Sequence, residues 1–420
     1  MFSFFKKHLK SIARRFFTSI FGDIGGEKSD NLNILKYKPL MDINPVEEKL
    51  IVFEAFKGWR YGCNPKAIYE EMLSDSRFKD YTFVWAFKNP ALFIPDEIEA
   101  LRSATIVKRY SVDHLDYLSR AKYWIRNCRI DPNISKKADQ IYMQTWHGAP
   151  LKRLGLDVDL NGKNTNLNFY KSKILLDAKK SSIILSSSRY CTEKLSSAFG
   201  LDVLEKENSI FETGYPRNDI LVNHTDEDIR KVKRFYSIPS GKKIILYAPT
   251  WRDDKDKENG IREFDLAIDF ASLYSQLGND YVVIYRPHYF IKNSFDFSSY
   301  KNFVFDGNLV NDINLLYIIS DILVTDYSSV FFDYGILQRK IIFFMYDYDL
   351  YANDLRGLYL DLSELPGEVV YNQEDLIKSI SKSELDKERL RIFKNKYCTY
   401  EDGHSSKRAI ETLLSQENKS

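Results

Sequence analysis

A histidine between a tryptophan and a glycine, with two cations a few residues on, is the first place where this chain could do chemistry. It lies in "QTWHGAPLKRLG", residues 144–155, at the end of a strand-like run. A neutral imidazole at His147 can take a proton from an attacking hydroxyl, and Gly148 lets another molecule approach the backbone closely. A histidine that only caps its loop would look the same, and both readings stand on sequence alone. His288, in "YRPHYF", follows Arg286 and Pro287. The proline stiffens that loop, and a guanidinium beside an imidazole offers donors suited to phosphate oxygens. The other histidines, His8, His114, His224 and His404, fall in helical or linker stretches and read as surface residues.

"TDYSSVFFDYG" sets Asp326, Ser328 and Ser329, all N-cap types, before an apolar run of helical character. Hydroxyls and free N–H groups at a helix start can cradle a phosphate, whereas plain capping would use only one serine. "LYAPTWRDD" ends a strand with Thr250, Trp251 and Arg252, which could hydrogen-bond, stack on and neutralise a nucleotide, or simply pack. Asp347 and Asp349 in "FFMYDYDLY" mimic an Asp-x-Asp pair holding a divalent metal. That spacing is a weak signal, because "DVD", "DED" and "DKD" recur elsewhere in the chain. Walker, GxGxxG, HExxH and GxSxG patterns are missing from the sequence, which removes support for kinases, dinucleotide-dependent dehydrogenases, zinc proteases and α/β-hydrolases.

These loops need a scaffold. "LIVFEAF", "YTFVWAF", "ATIVKRY", "AKYWIRN", "QIYMQTW" and "SIILSSS" are rich in β-branched and aromatic residues. Between them "CNPKAIYEEMLSD" and "DHLDYLSRA" carry Asn or Asp caps and helical spacing, and "RYCTEKLSSAFG" follows the last strand. The rhythm pauses near residues 215–228 and restarts with "KKIILYAPTW", "YVVIYRPHY", "NFVFDG", "DILVTDYSS" and "KIIFFMYD". Such alternation predicts two doubly wound α/β halves facing each other across a cleft. Ligands in such sheets sit beyond the carboxyl ends of the strands, where every unusual loop named above falls.

At 420 residues the chain is long enough for two domains, with 44% hydrophobic residues and a net charge of only +2. That balance gives no global basic field for nucleic acid. Four scattered cysteines without a CxxC pair argue against a zinc site or disulfide framework. The longest apolar run, "INLLYIISDILV", is too short to span a bilayer and carries Asp321. The N-terminus departs from this even balance. Residues 1–22 carry Lys6, Lys7, Lys10, Arg14 and Arg15 opposite a stripe of Phe2, Phe5, Leu9, Ile12, Ala13, Phe16 and Ile20. Phenylalanines backed by cations predict an amphipathic helix lying on an anionic membrane, tethered by residues 23–45. A helix docked on the protein's own core, or a targeting segment, is the competing reading.

Taken in order, "WHGAPLKRLG", "TGYPRND", "LYAPTWRD", "YRPHY", "SDILVTDYSSVFFDYG" and "FFMYDYDLYANDLRGLYLDLSELPGEVV" resemble the CDP-glycerol glycerophosphotransferase family of teichoic-acid and capsule synthesis. The resemblance covers roughly residues 140–372; before it the match is one of character only, and "LPGEVV" departs mildly at a second proline. It implies a GT-B fold of two Rossmann-like domains, an acceptor-side one over 46–220 and a nucleotide-donor one over 221–395, then a helical tail over 396–420. It also implies transfer of glycerol phosphate or ribitol phosphate from a CDP-polyol to a hydroxyl of a lipid-linked polymer at the cytoplasmic face of the membrane, releasing CMP. His147 would be the base and His288 would stand at the diphosphate beside Arg286. Thr250, Trp251, Arg252, Asp326, Ser328 and Ser329 would hold the donor, and Gly148, Lys152, Arg153 and Arg217 would face the acceptor and its phosphates. The layout requires no cofactor; Mg2+ is compatible with it and not implied. A glycosyltransferase of the same fold using a nucleotide sugar, and a non-catalytic membrane-bound nucleotide or polymer binder, are the alternatives. The reading depends on the two histidines meeting across one crevice.

Overall fold

Each β-branched or aromatic run of the N-terminal half forms a strand, because alternate residues can be buried on opposite faces of one sheet. The computed structural model describes residues 34, 37–93, 98–158, 167–250, 267–287, 297–348 and 357–417. The strands are β1 (Glu47–Glu54), β2 (Thr82–Phe87), β3 (Ala104–Lys108), β4 (Ala121–Arg126), β5 (Ile141–Gln144), β6 (Ile183–Ser186) and β7 (Ile210–Glu212). They pair in the order β3-β2-β1-β4-β5-β6-β7. Along β1 the alternation is direct: Ile51 and Phe53 join Trp85, Tyr123 and Ile125 on one face, while Leu50 and Val52 join Val84, Trp124 and Tyr142 on the other.

The second sheet repeats the plan with β8 (Lys243–Ala248), β9 (Tyr281–Tyr285), β10 (Val304–Asp306), β11 (Ile322–Thr325), β12 (Lys340–Phe344) and β13 (Glu368–Val370), ordered β10-β9-β8-β11-β12-β13. The paired strands run parallel in both sheets, as in β1 with β4 and β8 with β11. Strand order reverses between β1 and β4 and again between β8 and β11. These are the topological switch points at which doubly wound sheets open a ligand crevice.

A continuous apolar core runs from the first sheet into the second, containing Trp85 and Leu185 as well as Leu246 and Phe343. Helix Lys387–Tyr397 packs against both Arg189–Phe199 and Val330–Gly335, and Ser405–Leu414 returns to pack on Cys63–Ser74. The tail border expected at 395/396 lies inside the first of these helices. Between the sheets, helix Asp226–Tyr236 starts in a capping box built by Thr225 and Asp228.

Two expectations need correction. The expected Asn and Asp caps do not cap: Gly62 precedes helix Cys63–Ser74 with no side-chain cap, and Ser111 caps Val112–Arg120 by accepting from His114 N. His114 is fully buried, its Nδ1 accepting the Tyr110 N–H at 2.8 Å. Burial pushes its pKa down to about 3, so it is a neutral core residue rather than a surface one. Strands β7 and β13, three residues each, fell below the length at which periodicity can be read. The proposed membrane helix, residues 1–22, lies outside the described residues. No helix among the described residues is long and apolar enough to cross a membrane.

Candidate functional site

The loop after β5 is shaped from two directions before His147 has any chemistry to do. Asn64, fully buried, donates from Nδ2 to the carbonyls of Thr145 (3.0 Å) and Trp146 (3.1 Å), while its Oδ1 accepts the Arg217 N–H (3.1 Å). The Arg217 guanidinium donates to the His147 carbonyl and, through Nη2, to Asp333 Oδ2 at 2.6 Å. Between these anchors Trp146 sits at φ 51°, a left-handed conformation unfavourable for a bulky side chain. Such strain persists only where the surroundings over-determine it, and three bonded carbonyls do so here.

His147 Nδ1 lies 2.8 Å from the Asn127 carbonyl. A carbonyl can only accept, so Nδ1 carries the proton and Nε2 presents a lone pair. Burial pushes the His147 pKa down to about 4; the Asn127 bond opposes this, and the charges of Arg217 and Arg129 add to it. The imidazole is therefore neutral at pH 7, as a proton acceptor must be. Its ring is 4.3 Å from Trp146 and 6.0 Å from Phe56, centroid to centroid.

Gly148 shows what the loop faces. A Cβ placed there would stand 3.3 Å from Arg217 Nη2 and 3.6 Å from Ser329 Oγ. The histidine loop of the first lobe thus lies directly against the start of helix Val330–Gly335 in the second.

Across that contact, the second lobe arranges its own strand ends. Asp326, buried after β11, accepts from Thr250 N (2.8 Å), Thr250 Oγ1 and Tyr327 N (2.7 Å) on one oxygen. It therefore pins the loop after β8 instead of capping the helix. Ser328 Oγ is only 3.5 Å from Val330 N, a long contact, and Ser329, the residue before the helix, makes no side-chain cap. Both hydroxyls are half-buried at the crevice.

Arg286 follows β9 and is buried. Its guanidinium donates to the carbonyls of Gly307, Val310 (2.7 Å) and Asn311 (3.3 Å), so those nitrogens organise a loop rather than reach outward. Burial pushes its pKa down to about 10, which leaves it cationic at neutral pH beside the segment that leads to His288. Lys152 and Arg153 lie where the lobes join: Lys152 bridges Leu358 antiparallel, and Arg153 N donates to Gly357 O at 3.1 Å. Two of the sequence blocks, around 150 and around 358, are thereby brought side by side. His288, Trp251, Arg252 and Asp349 lie outside the described residues. Asp347 accepts from Tyr327 OH at 3.2 Å. Among the described residues no cluster of histidine, cysteine and acidic side chains is placed to hold a metal ion.

Sequence reasoning missed Asn64, Asn127 and Asp333, which position the site, and Glu401. The Asp333 carboxylate also accepts from Asn218 Nδ2 at 3.0 Å, and Glu401 accepts from Asn218 Nδ2 (3.2 Å) and Tyr215 N (3.0 Å). Burial pushes the Glu401 pKa up to about 8, with Asp333 contributing, so it is protonated at neutral pH. A carboxylate inside the apolar run "VFFDYG" was the one available signal, since a buried charge demands a partner.

Residues 37–415 match the family described as CDP-glycerol:poly(glycerophosphate) glycerophosphotransferase. The chain belongs to this family. It is similar to the teichoic acid poly(glycerol phosphate) polymerase of Bacillus spizizenii, 39% identical over 382 residues, covering 89% of this chain and 94% of the relative. A polymerase of the same description from Staphylococcus epidermidis is 40% identical over 385 residues, covering 88% of this chain and 52% of the relative, so the chain spans about half of that protein. A solved structure of the wall teichoic acid polymerase TagF, a histidine variant with CDPG, superposes with a TM-score of 0.83 at 36% identity, covering 98% of each chain. The two parallel-sheet lobes are the GT-B-like fold, and this glycerophosphotransferase-family protein is a transferase.

Proposed function

We propose that the protein transfers glycerol phosphate from CDP-glycerol to a hydroxyl of a lipid-linked polymer and releases CMP, without a required metal. The observation that carries this reading is the contact between Gly148, next to a neutral His147, and Ser329 of the opposite lobe. A hydroxyl seated there attacks the glycerol-bearing phosphorus of the donor. The new P–O bond forms as the diphosphate P–O bond breaks, its electron pair leaves on CMP, and the hydroxyl proton passes to His147 Nε2. Anionic phosphates entering the crevice raise the imidazole's proton affinity, which suits it to that step. Ser328, Ser329 and His288 supply hydrogen bonds to the diphosphate, Arg286 adds positive charge from behind its loop, and aligning the hydroxyl in line is the fold's main task.

A lipid-linked acceptor confines the reaction to a surface, and the basic phenylalanine-rich segment 1–22 would keep the enzyme at the cytoplasmic face. Purified protein given CDP-glycerol, a lipid-linked acceptor and EDTA should release CMP and lengthen the acceptor by glycerol phosphate. Consumption of CDP-ribitol alone would change the polyol; a glycosidic product from a nucleotide sugar would replace the reading, and no turnover with any donor would end it. Deleting residues 1–22 should release the protein from anionic vesicles.

A further inference from the structure

The two ends of the first sheet treat charge differently. At the amino ends of β1 and β4 the lysines are paired, Lys49 with Asp80 and Lys122 with Glu48, and nearby Arg120 pairs with Glu47 and Asp116; Lys79, just before β2, has no ion pair with a described carboxylate. At the carboxyl ends stand Lys57 after β1, Lys88 after β2 and Lys108 closing β3, and no described carboxylate forms an ion pair with any of them. Glu54, the acid at the end of β1, is buried and engaged by Arg126 and Arg109 (2.9 Å); Asp113 is exposed, and Asp131 lies near Tyr110 beyond β3. Trp59 is 52% exposed here, with Lys88 Nζ 4.5 Å from its ring centroid.

This edge is built, not loose. Phe56, Lys57 and Gly58 are consecutive left-handed residues, at φ 48°, 56° and 79°. They are held by Phe56 N on Asn127 Oδ1 (2.7 Å) and Lys88 N on Gly58 O (2.8 Å). A Cβ on Gly58 would lie 2.7 Å from Lys88 N, so only glycine allows the β1 loop to sit this tightly on β2. The same turn that presents Lys57 and Trp59 outward places Phe56 against His147. With strands ordered β3-β2-β1-β4-β5, the lysines approach the base across roughly 19 Å, four strand spacings of about 4.8 Å.

Resting on the proposed function, we infer that this edge is the acceptor track. Lys108, Lys88 and Lys57 hold successive phosphates of a polyanionic glycerol-phosphate chain, Trp59 covers its glycerol carbons, and the chain's terminal hydroxyl arrives at His147. An anionic membrane would also favour cations, but continuity with the catalytic ring through Phe56 favours the polymer.

The test uses the full chain, a labelled glycerol-phosphate oligomer and phosphatidylglycerol vesicles. Lys57→Asn/Lys88→Gln removes two cations while keeping a residue that tolerates the left-handed turn. It should weaken oligomer binding, and raise the KM of a long acceptor, by about tenfold, and should flatten the salt dependence of both. CDP-glycerol KM should stay within about twofold, Lys57→Arg/Lys88→Arg should restore binding, and Lys79→Gln at the opposite end of β2 should change nothing. If the donor KM also fails, the single Lys108→Gln variant decides by the same oligomer measurement. Unaltered oligomer affinity overturns the inference, as does a loss confined to vesicles. Absence of turnover in the wild type would defeat the functional reading instead, while oligomer binding would still judge the track.

Discussion

The two switch points solve one problem with different chemistry. In each sheet the residue two beyond the first strand donates its N–H to Oδ1 of the residue just beyond the partner strand: Phe56 to Asn127 at 2.7 Å, and Thr250 to Asp326 at 2.8 Å. The positions are equivalent, yet the first lobe uses a neutral amide and the second a carboxylate. Asp326 has three donors converging on one oxygen, enough to stabilise a buried charge. Asn127 Oδ1 receives one, and its backbone carbonyl accepts a hydrogen bond from His147 Nδ1. A charge is thus kept away from the base and placed where it only has to hold a loop.

On the proposed function, proton transfer belongs to the first switch point alone. His147→Gln should therefore give the largest effect, a loss of roughly 10²–10⁴ in CMP release, with the donor Kd by calorimetry nearly unchanged. Near-normal turnover would remove the base from this switch point. Next in size is Asn64→Ala, which frees the carbonyls of Thr145 and Trp146 and lets the strained loop relax. A displacement near 1 Å costs about 10²-fold in rate, so kcat should fall by up to that factor while the donor KM holds. Equal losses in kcat and melting temperature across Asn64→Ala and Asn64→Asp would reduce Asn64 to a packing residue.

The same comparison shows what a sequence can and cannot reveal. Strand ends were legible because β-branched runs stop where polar loops begin, and this located His147, Thr250 and Asp326 at the correct edge. Their partners were not. Asn64 acts on residues 81 positions away, and Arg217 meets Asp333 across 116. Periodicity reports which face of an element is buried, not what lies against it. The left-handed Trp146 was equally invisible, since nothing in a tryptophan announces φ > 0. His114 misled because its neighbours read as a surface helix, whereas the helix turns that face into the core.

Placing a carboxylate at the first switch point sharpens the contrast. Asn127→Asp puts a negative charge beside His147, among cations that keep it ionised, and should raise the imidazole pKa by roughly 1–2 units from about 4. The acid limb of kcat/KM should move up by the same amount. Stability follows. In the wild type the unfolded imidazole titrates near 6.5 and the folded one near 4, so between those values only the unfolded chain holds the proton. Folding stability is therefore lost as pH falls through that window, and the variant should lose less. His114 adds a similar slope in both proteins, so the difference in denaturant midpoints between pH 7 and pH 5 isolates His147. Identical pH slopes would mean that the amide does not set the base's proton affinity.

The smallest effect belongs to the reverse exchange. Asp326→Asn keeps an oxygen for the Thr250 N–H but loses the charge that strengthens three converging bonds, and an amide group replaces the second carboxylate oxygen. The loss should be about 1–3 kcal/mol of stability in the second lobe, seen in calorimetry as a melting point lower by roughly 2–4 °C for each kcal/mol. The pH at which His147 titrates should not move, because this carboxylate serves the other switch point. A shift in the acid limb of kcat/KM would mean that the two strand-end clamps are electrically coupled across the crevice, and that the division of labour between amide and carboxylate is not what separates the lobes.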